Sequence, residues 1–390
     1  MSRKGTERLR IAYITPTDAR NKHSWSGTDY YIWKTLQKHV GDIELMRPQE
    51  PALLVFLLKI FHGISLFVFK KRFDWRHSNL LSKAYARSIQ KKLKNNSFDL
   101  IVAPAADAVI AYLETTIPII YINDRTIVGS LEYHRMLTNL WEFSKKQSML
   151  VDKQAIEKSL FTSYPSEWAA QSAVQEYGIA TEKIVTIPFG ANMDEAPDRS
   201  IALQRKKGGT CKLLFIGVNW RDKGGSIAYD CLLELLKLGI DAELTVVGCV
   251  PPTVFKHEKL TVIPFLNKNS TEDVAQLQSL WTHSTFLILP TRIDAFGIVF
   301  CEAAAYGLPC IGTNTGGVAG ALHENKNGYL MPFSAGGKEY AARIAATLKD
   351  DAAYQSLVIS ARDEFEKELN WDSWALTIKT IFQEKNRKNQ

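Results

Sequence analysis

"LILPTRIDAFGIVFCEAAAYGLPCIGTNTGG", residues 287–317, decides how the rest of the chain is read. A short apolar strand is expected over 285–290, closed by Pro290. A polar loop carrying Asp294 follows, and a helix is expected to start at Phe296-Gly297. The first N–H groups of such a helix, on Gly297, Ile298 and Val299, have no carbonyl behind them. Together with the helix dipole they form an anion site suited to phosphate. Glu302 lies roughly 6 Å further along the axis, within reach of a ribose bonded to that phosphate. Asp294 lies on the opposite side, where a sugar would be. The stretch therefore fits a sugar nucleotide gripped at both ends. It equally fits a plainer arrangement, with Asp294 capping the helix and Glu302 on its solvated face.

Outward from this stretch, apolar runs of four to seven residues alternate with helical periods, the pattern of parallel sheets. Strands are expected over 9–15, 98–104, 117–123 and 183–190, with helices over 27–39 and 167–178. The alternation restarts with strands over 211–217, 242–248, 260–265 and 308–313, and helices over 226–239, 271–284 and 297–307. The two series are divided by the polar stretch 194–210, and a last helix is expected over 371–388. The chain of 390 residues thus reads as α/β, with two doubly wound domains and a ligand groove between them.

Two further loops carry chemistry. In "FIGVNWRDKGGS", 215–226, a strand leads into Arg221 and Lys223 and then a glycine pair opening a helix. Two cations beside a glycine turn suit a diphosphate, Arg as a fork and Lys as a point charge. In "TPTDARNKHSWSGTDYY", 15–31, a long loop opens a helix at Gly27, where a bare backbone allows close approach to a phosphate. Asp124 ends a strand at its carboxyl edge, where ligands gather in such folds. Neither GxGxxG nor GxxxxGK[ST] occurs, which argues against nicotinamide, flavin and P-loop chemistry. The eight histidines form no HExxH, and no metal-ligand spacing is found.

Composition sets the bounds. Apolar residues make up 46% and charged residues 23%, as in soluble globular chains. The five cysteines form no CxxC pair and read as reduced, buried thiols of a cytoplasmic protein, and the polar start reads as free of a signal peptide. Residues 1–100 hold 19 Lys/Arg against 8 Asp/Glu, a balance of +11, whereas residues 201–390 hold 21 against 20. A basic first quarter points to an anionic partner. Aromatic interleaving and nucleic-acid motifs are missing, so nucleic acid is not expected.

Residues 52–69, "ALLVFLLKIFHGISLFVF", followed by Lys70, Lys71 and Arg72, leave three readings open: an interfacial membrane helix, a core helix and a transmembrane span. Lys59, His62 and Gly63 share one helical face, which fits an interfacial helix with the three cations on anionic headgroups.

The motifs together are similar to those of retaining family-4 glycosyltransferases of the GT-B fold (glycosyl transferases group 1). Residues 290–317 resemble their E-x7-E signature, "FIGVNWRDKGG" their donor-phosphate loop, "SWSGTDYY" their first-domain glycine loop, and 165–192 the segment closing their first domain. The resemblance implies an N-terminal acceptor domain over 1–200, with 371–390 packing back on it, and a donor domain over 201–370. It implies Glu302 on the ribose, Lys223 on the diphosphate, and Asp294, where the family usually has Glu, on the sugar. Val218 stands where the family has Arg, so Arg221 would have to substitute. The family's first-domain His has no match, Asp124 falling near it, and the acid expected after Gly316-Gly317 is absent.

The expectation is therefore a retaining transfer of a sugar from a UDP- or GDP-sugar to a glycan or lipid-linked acceptor in surface polysaccharide or glycolipid synthesis. Lys223, Asp294, Arg221 and Asp124 are the expected catalytic residues, with no metal or cofactor. The donor site is expected to comprise Gly27, Arg221, Lys223, Asp294, Phe296, Gly297, Ile298, Val299 and Glu302. The work would be cytoplasmic, with peripheral contact to an anionic membrane through 52–72. An epimerase or phosphorylase of the same fold, or a non-catalytic nucleotide-sugar binder, are the rival expectations.

Overall fold

The computed structural model describes residues 8–94 and 96–388. These fall into two compact units, one within Met1–Ile187 and Ala375–Gln390, the other Pro188–Trp374.

The first unit holds six parallel strands, β1 (Leu9–Ile14), β2 (Gly41–Met46), β3 (Leu100–Pro104), β4 (Ile119–Ile122), β5 (Phe161–Tyr164) and β6 (Ile184–Thr186), in the order β2-β1-β3-β4-β5-β6. From β1 the chain adds β2 on one side and then β3 on the other, so the switch point lies between β1 and β3. Residues of β3 and β4 are buried throughout, which is why both read as continuous apolar runs rather than alternations. The sheet is covered by helices including Asn79–Leu93, Glu142–Lys158 and Glu167–Tyr177, whose Ile89, Ile156 and Ala173 pack with Ile101 and Tyr121 of the strands.

The second unit repeats the scheme with β7 (Cys211–Ile216), β8 (Ala242–Val247), β9 (Leu260–Ile263), β10 (Phe286–Leu289), β11 (Cys310–Thr313) and β12 (Gly328–Met331). The order is β12-β11-β10-β7-β8-β9, every pairing parallel, and the switch point lies between β7 and β10. All five cysteines are unpaired, and four of them are buried.

The division falls after Ile187 rather than within the polar stretch 194–210. Residues 188–200 are fastened inside the second unit. Phe189 stacks on Trp371 at 5.4 Å and its carbonyl accepts from Cys301 Sγ, Ala191 N donates to Leu369 O, and Arg199 pairs with Asp363 and Glu366. The helix Trp371–Lys388 starts in the second unit and continues in the first, where Lys379 Nζ donates to His39 O.

Residues 52–69 form one helix, Ala52–Phe69, as the apolar run allows, but only 17% of it is buried, so it is no core helix. Of the shared face of Lys59, His62 and Gly63, Lys59 and Gly63 are exposed and His62 is half-buried. His62 Nδ1 donates inward to Phe73 O at 2.7 Å, and Ser65 Oγ donates to Lys71 O at 2.7 Å.

Candidate functional site

Two strand-to-helix loops of the second unit meet at its switch point, after β7 and after β10. The β7 loop ends in Gly224, with φ 73°, which caps the helix Gly225–Lys237. A side chain there would put its Cβ 1.9 Å from Pro290 O, so glycine is what lets the two loops touch. They are also bonded: Arg292 N donates to Asp222 O at 2.7 Å, and Thr291 Oγ1 to the same oxygen at 3.2 Å. The β10 loop ends in Gly297, φ 87°, which caps the helix Ile298–Ala305. A Cβ on Gly297 would lie 2.7 Å from the buried Phe300 ring. Two helix N-termini, each led by a left-handed glycine, thus open at one edge of one sheet. Their combined dipoles favour an anion there.

Charged side chains surround this edge. Lys223 Nζ lies 2.6 Å from Asp294 Oδ2, with both side chains largely shielded from water. Asp294 is held from its backbone as well, its carbonyl accepting from Gly317 N at 3.2 Å. That bond gives the Gly-Gly pair a local task, anchoring the acid's loop. Glu302 is 4% exposed, which rules out a solvated helix face. It pairs instead with Lys268, Nζ to Oε1 2.6 Å, and Lys268 also donates to Asn192 O at 3.2 Å. Removing Lys268 would take the cation from a carboxylate that is almost wholly buried.

The sequence-expected residues therefore divide. Lys223, Asp294, Phe296, Gly297, Ile298, Val299 and Glu302 are brought together on the two loops and the helix they open. Phe296 is buried and lies edge-on to Phe189, so it anchors the helix start from below. Arg221 is on the same β7 loop but exposed, and Val218 is 85% exposed. Lys268 was not expected. A lone lysine between a strand and a Ser270-capped helix carries no spacing signal.

Gly27 and Asp124 belong to the first unit, where they are linked to each other. Trp25, Ser26 and Gly27 are consecutive left-handed residues, and Trp25 Nε1 donates to Asp124 Oδ2 at 2.9 Å. The loop behind them is tied down by buried Asp29, which accepts from Tyr13 (2.6 Å), Thr15 (2.9 Å) and Thr17 (2.8 Å) hydroxyls. Burial raises the Asp29 pKa, and those three bonds oppose the rise. Among the described residues one group has possible metal ligands within 4.8 Å of one another, His323, Glu364 and Glu368, none of which is a site residue.

Residues 201–364 match the family described as Glycosyl transferases group 1. The chain is 26% identical over 213 residues to a glycogen synthase of Mycobacterium tuberculosis, covering 53% of this chain and 50% of that protein. It thus spans about half the length of such curated relatives. Sucrose-phosphate synthase from Thermosynechococcus elongatus has a similar structure, with TM-score 0.68, 15% identity and coverage of 97% and 99% of the two chains. HepE from Anabaena, solved in complex with UDP and glucose, gives TM-score 0.60 at 14% identity, covering 97% and 99%. The fold is GT-B, two parallel six-stranded sheets with surrounding helices.

Proposed function

We infer, from the match of residues 201–364 to the glycosyl transferases group 1 family, that the protein is a glycosyltransferase whose second unit binds a nucleoside diphosphate sugar. The observation that carries this reading is the Lys223–Asp294 pair beside two glycine-led helix N-termini at the β7/β10 switch point. A diphosphate there would meet both N-termini and take Lys223 as its counter-ion. Asp294, relieved of its partner, would then accept from hydroxyls of the donor sugar. Glu302, with Lys268 beside it, is at the right distance along the helix for the two ribose hydroxyls.

The reaction proposed is transfer with retention at the anomeric carbon, from a UDP- or GDP-sugar to a glycan or lipid-linked acceptor. The bond from anomeric carbon to phosphate oxygen breaks, and the acceptor oxygen bonds to that carbon on the same face. The acceptor's proton passes to the departing phosphate oxygen. Lys223 and the helix N-termini stabilise the charge that grows on the diphosphate, with Arg221 on the same loop as a second cation. That is electrostatic catalysis by fixed donors, and it calls for no divalent ion. In the first unit, Gly27 and Asp124, joined through Trp25, are the residues proposed to face the acceptor side of the reaction.

Melting of the full chain with UDP, GDP, ADP, dTDP and CMP tests the donor assignment. A ligand that binds the folded state raises the melting temperature by mass action. One diphosphate should give a clear rise that Glu302→Ala reduces. No rise with any of them, or a rise untouched in Glu302→Ala, contradicts the assignment.

A further inference from the structure

The helix Ala52–Phe69 leaves one wholly apolar arc exposed while its His62 and Ser65 face the protein, unlike a water-facing surface helix. At 100° per residue, Leu53, Phe56, Leu57, Ile60, Ile64 and Phe67 fall within about 100° of arc. All six are exposed, Phe67 to 78% and Leu53 to 73%. The opposite arc holds Leu54, Val55, Leu58, His62 and Ser65, which are buried or half-buried. That inner stripe is bolted down. His62 donates to Phe73 O, Trp141 Nε1 donates to Ser65 Oγ at 2.6 Å, and Ser65 donates on to Lys71 O. Phe61 and Phe73 meet edge to face at 5.0 Å. With His62 and Ser65 spent on the body and the outer arc left wholly apolar, the helix shows a surface water does not select.

The charge around the helix names what covers it. Between residues 52 and 76 the sequence holds Lys59, Lys70, Lys71, Arg72 and Arg76 against a single acid, Asp74. Asp74 pairs with His77 at 2.6 Å, and one acid leaves the five cations in excess. Lys59 and Arg76 both lie over the Trp75 ring, at 5.1 and 4.7 Å, on one flank of the helix. Lys70 and Lys71 are exposed at its C-terminal end. An apolar face rimmed by cations and by an indole matches a bilayer surface, with acyl chains against the face and anionic headgroups against the rim.

We propose that Ala52–Phe69 docks the protein side-on to a membrane bearing anionic lipid, the outer arc embedded and the inner stripe kept on the protein. The helix does not span. Crossing would need it to leave the body, and His62 and Ser65, both bonded inward, sit in its second half. This docking is independent of the donor site and would put the acceptor chemistry at a lipid surface, which favours the lipid-linked acceptor.

Flotation of the full chain with vesicles tests the proposal, using phosphatidylcholine mixed with phosphatidylglycerol against phosphatidylcholine alone. The chain should float with the mixed vesicles, less with the neutral ones, and less as salt is added. Phe56→Ser with Phe67→Ser should weaken partitioning at least roughly tenfold, since two large apolar side chains no longer insert. Both positions are exposed, so the melting temperature and any nucleotide-induced rise should be unchanged, which separates failure here from failure of the donor assignment. Lys70→Glu with Lys71→Glu should remove the preference for phosphatidylglycerol. Absence of flotation, or undiminished flotation of the Phe pair variant, overturns the proposal. A concentration-dependent dimer broken by the Phe pair variant, with no vesicle binding, would show that a second copy covers the face. Retention in cell membranes through alkaline washing would show a span.

Discussion

Each sheet places a left-handed glycine at the head of a helix next to its switch point, yet the two units dress that glycine differently. In the second unit, Gly224 and Gly297 stand among two lysine–carboxylate pairs, Lys223–Asp294 and Lys268–Glu302. In the first, Gly27 follows an aromatic, Trp25, bonded to a carboxylate, and the nearest acid, Asp29, is saturated by three hydroxyls. The same topology thus yields an edge built on two lysine–carboxylate pairs and an edge whose acids are held by an indole and by hydroxyls. A diphosphate needs the former. On the proposed reading, an acceptor hydroxyl, which must be positioned and not neutralised, is met by the latter.

The contrast breaks if charge in the second unit proves dispensable. Lys223→Ala should lower turnover at least ~100-fold, the scale of losing one donor to a transition-state anion. Steady-state rates with the donor found by melting would read this, and near-normal turnover removes Lys223 from the chemistry. Glu302→Gln comes next. It keeps the shape but strands Lys268 and weakens the bonds to ribose, and nucleotide affinity should fall roughly tenfold, a cost near 1.4 kcal/mol. Calorimetric titration measures it, and an unchanged dissociation constant would sink the ribose role.

The first unit should respond in the opposite sense. Trp25→Phe removes the bond to Asp124 and should raise the KM for acceptor a few-fold, about the worth of one hydrogen bond, while nucleotide affinity stays as it was. A change in nucleotide affinity would mean that the two edges are not divided as described.

The smallest effect concerns stability. In the first unit, burial and then the charge of Asp107 push the Asp152 carboxyl up to about 7, against bonds from Ile127 N and the Tyr177 hydroxyl. An acid with a raised folded pKa binds its proton more tightly when folded. Its contribution to stability is therefore present at low pH and lost as pH rises from the unfolded value through about 7. His77, also in this cluster, is held well above its usual pKa. Burial alone would lower it, but the charges of Asp74 and Asp107 override that. Its contribution is likewise lost on the alkaline side of its folded pKa. Asp152→Asn should flatten the fall in melting temperature between about pH 4 and pH 7 and leave nucleotide binding alone. An identical pH profile would show that Asp152 is not the group responsible.

Much of this was legible in the sequence because parallel strands buried on both faces leave unbroken apolar runs, as over 100–104 and 286–289. Strands β2 (GDIELM), β5 (FTSY) and β12 (GYLM) were not read. The first two carry polar residues, which in β5 are buried and in β2 lie at the sheet's edge, and β12 is only four residues long. The glycine-led helix starts and their acids could be read, since cap, loop and helix are local in sequence. Lys268 could not, because its partner Glu302 is 34 residues away and only the fold makes them neighbours. The orientation of Ala52–Phe69 was hidden for the same reason. Periodicity places His62 and Ser65 on one side, but only Phe73 and Trp141 reveal which way that side faces.

The most direct test of the donor site is a pair of calorimetric titrations, comparing a nucleoside diphosphate with its nucleoside in the wild-type chain and in Lys223→Ala. The diphosphate should bind far more tightly than the nucleoside to the wild type, and Lys223→Ala should close most of that gap. A wild type that does not distinguish the two, or a gap that survives the substitution, would contradict the assignment of Lys223 and the two glycine-led helix starts to the diphosphate.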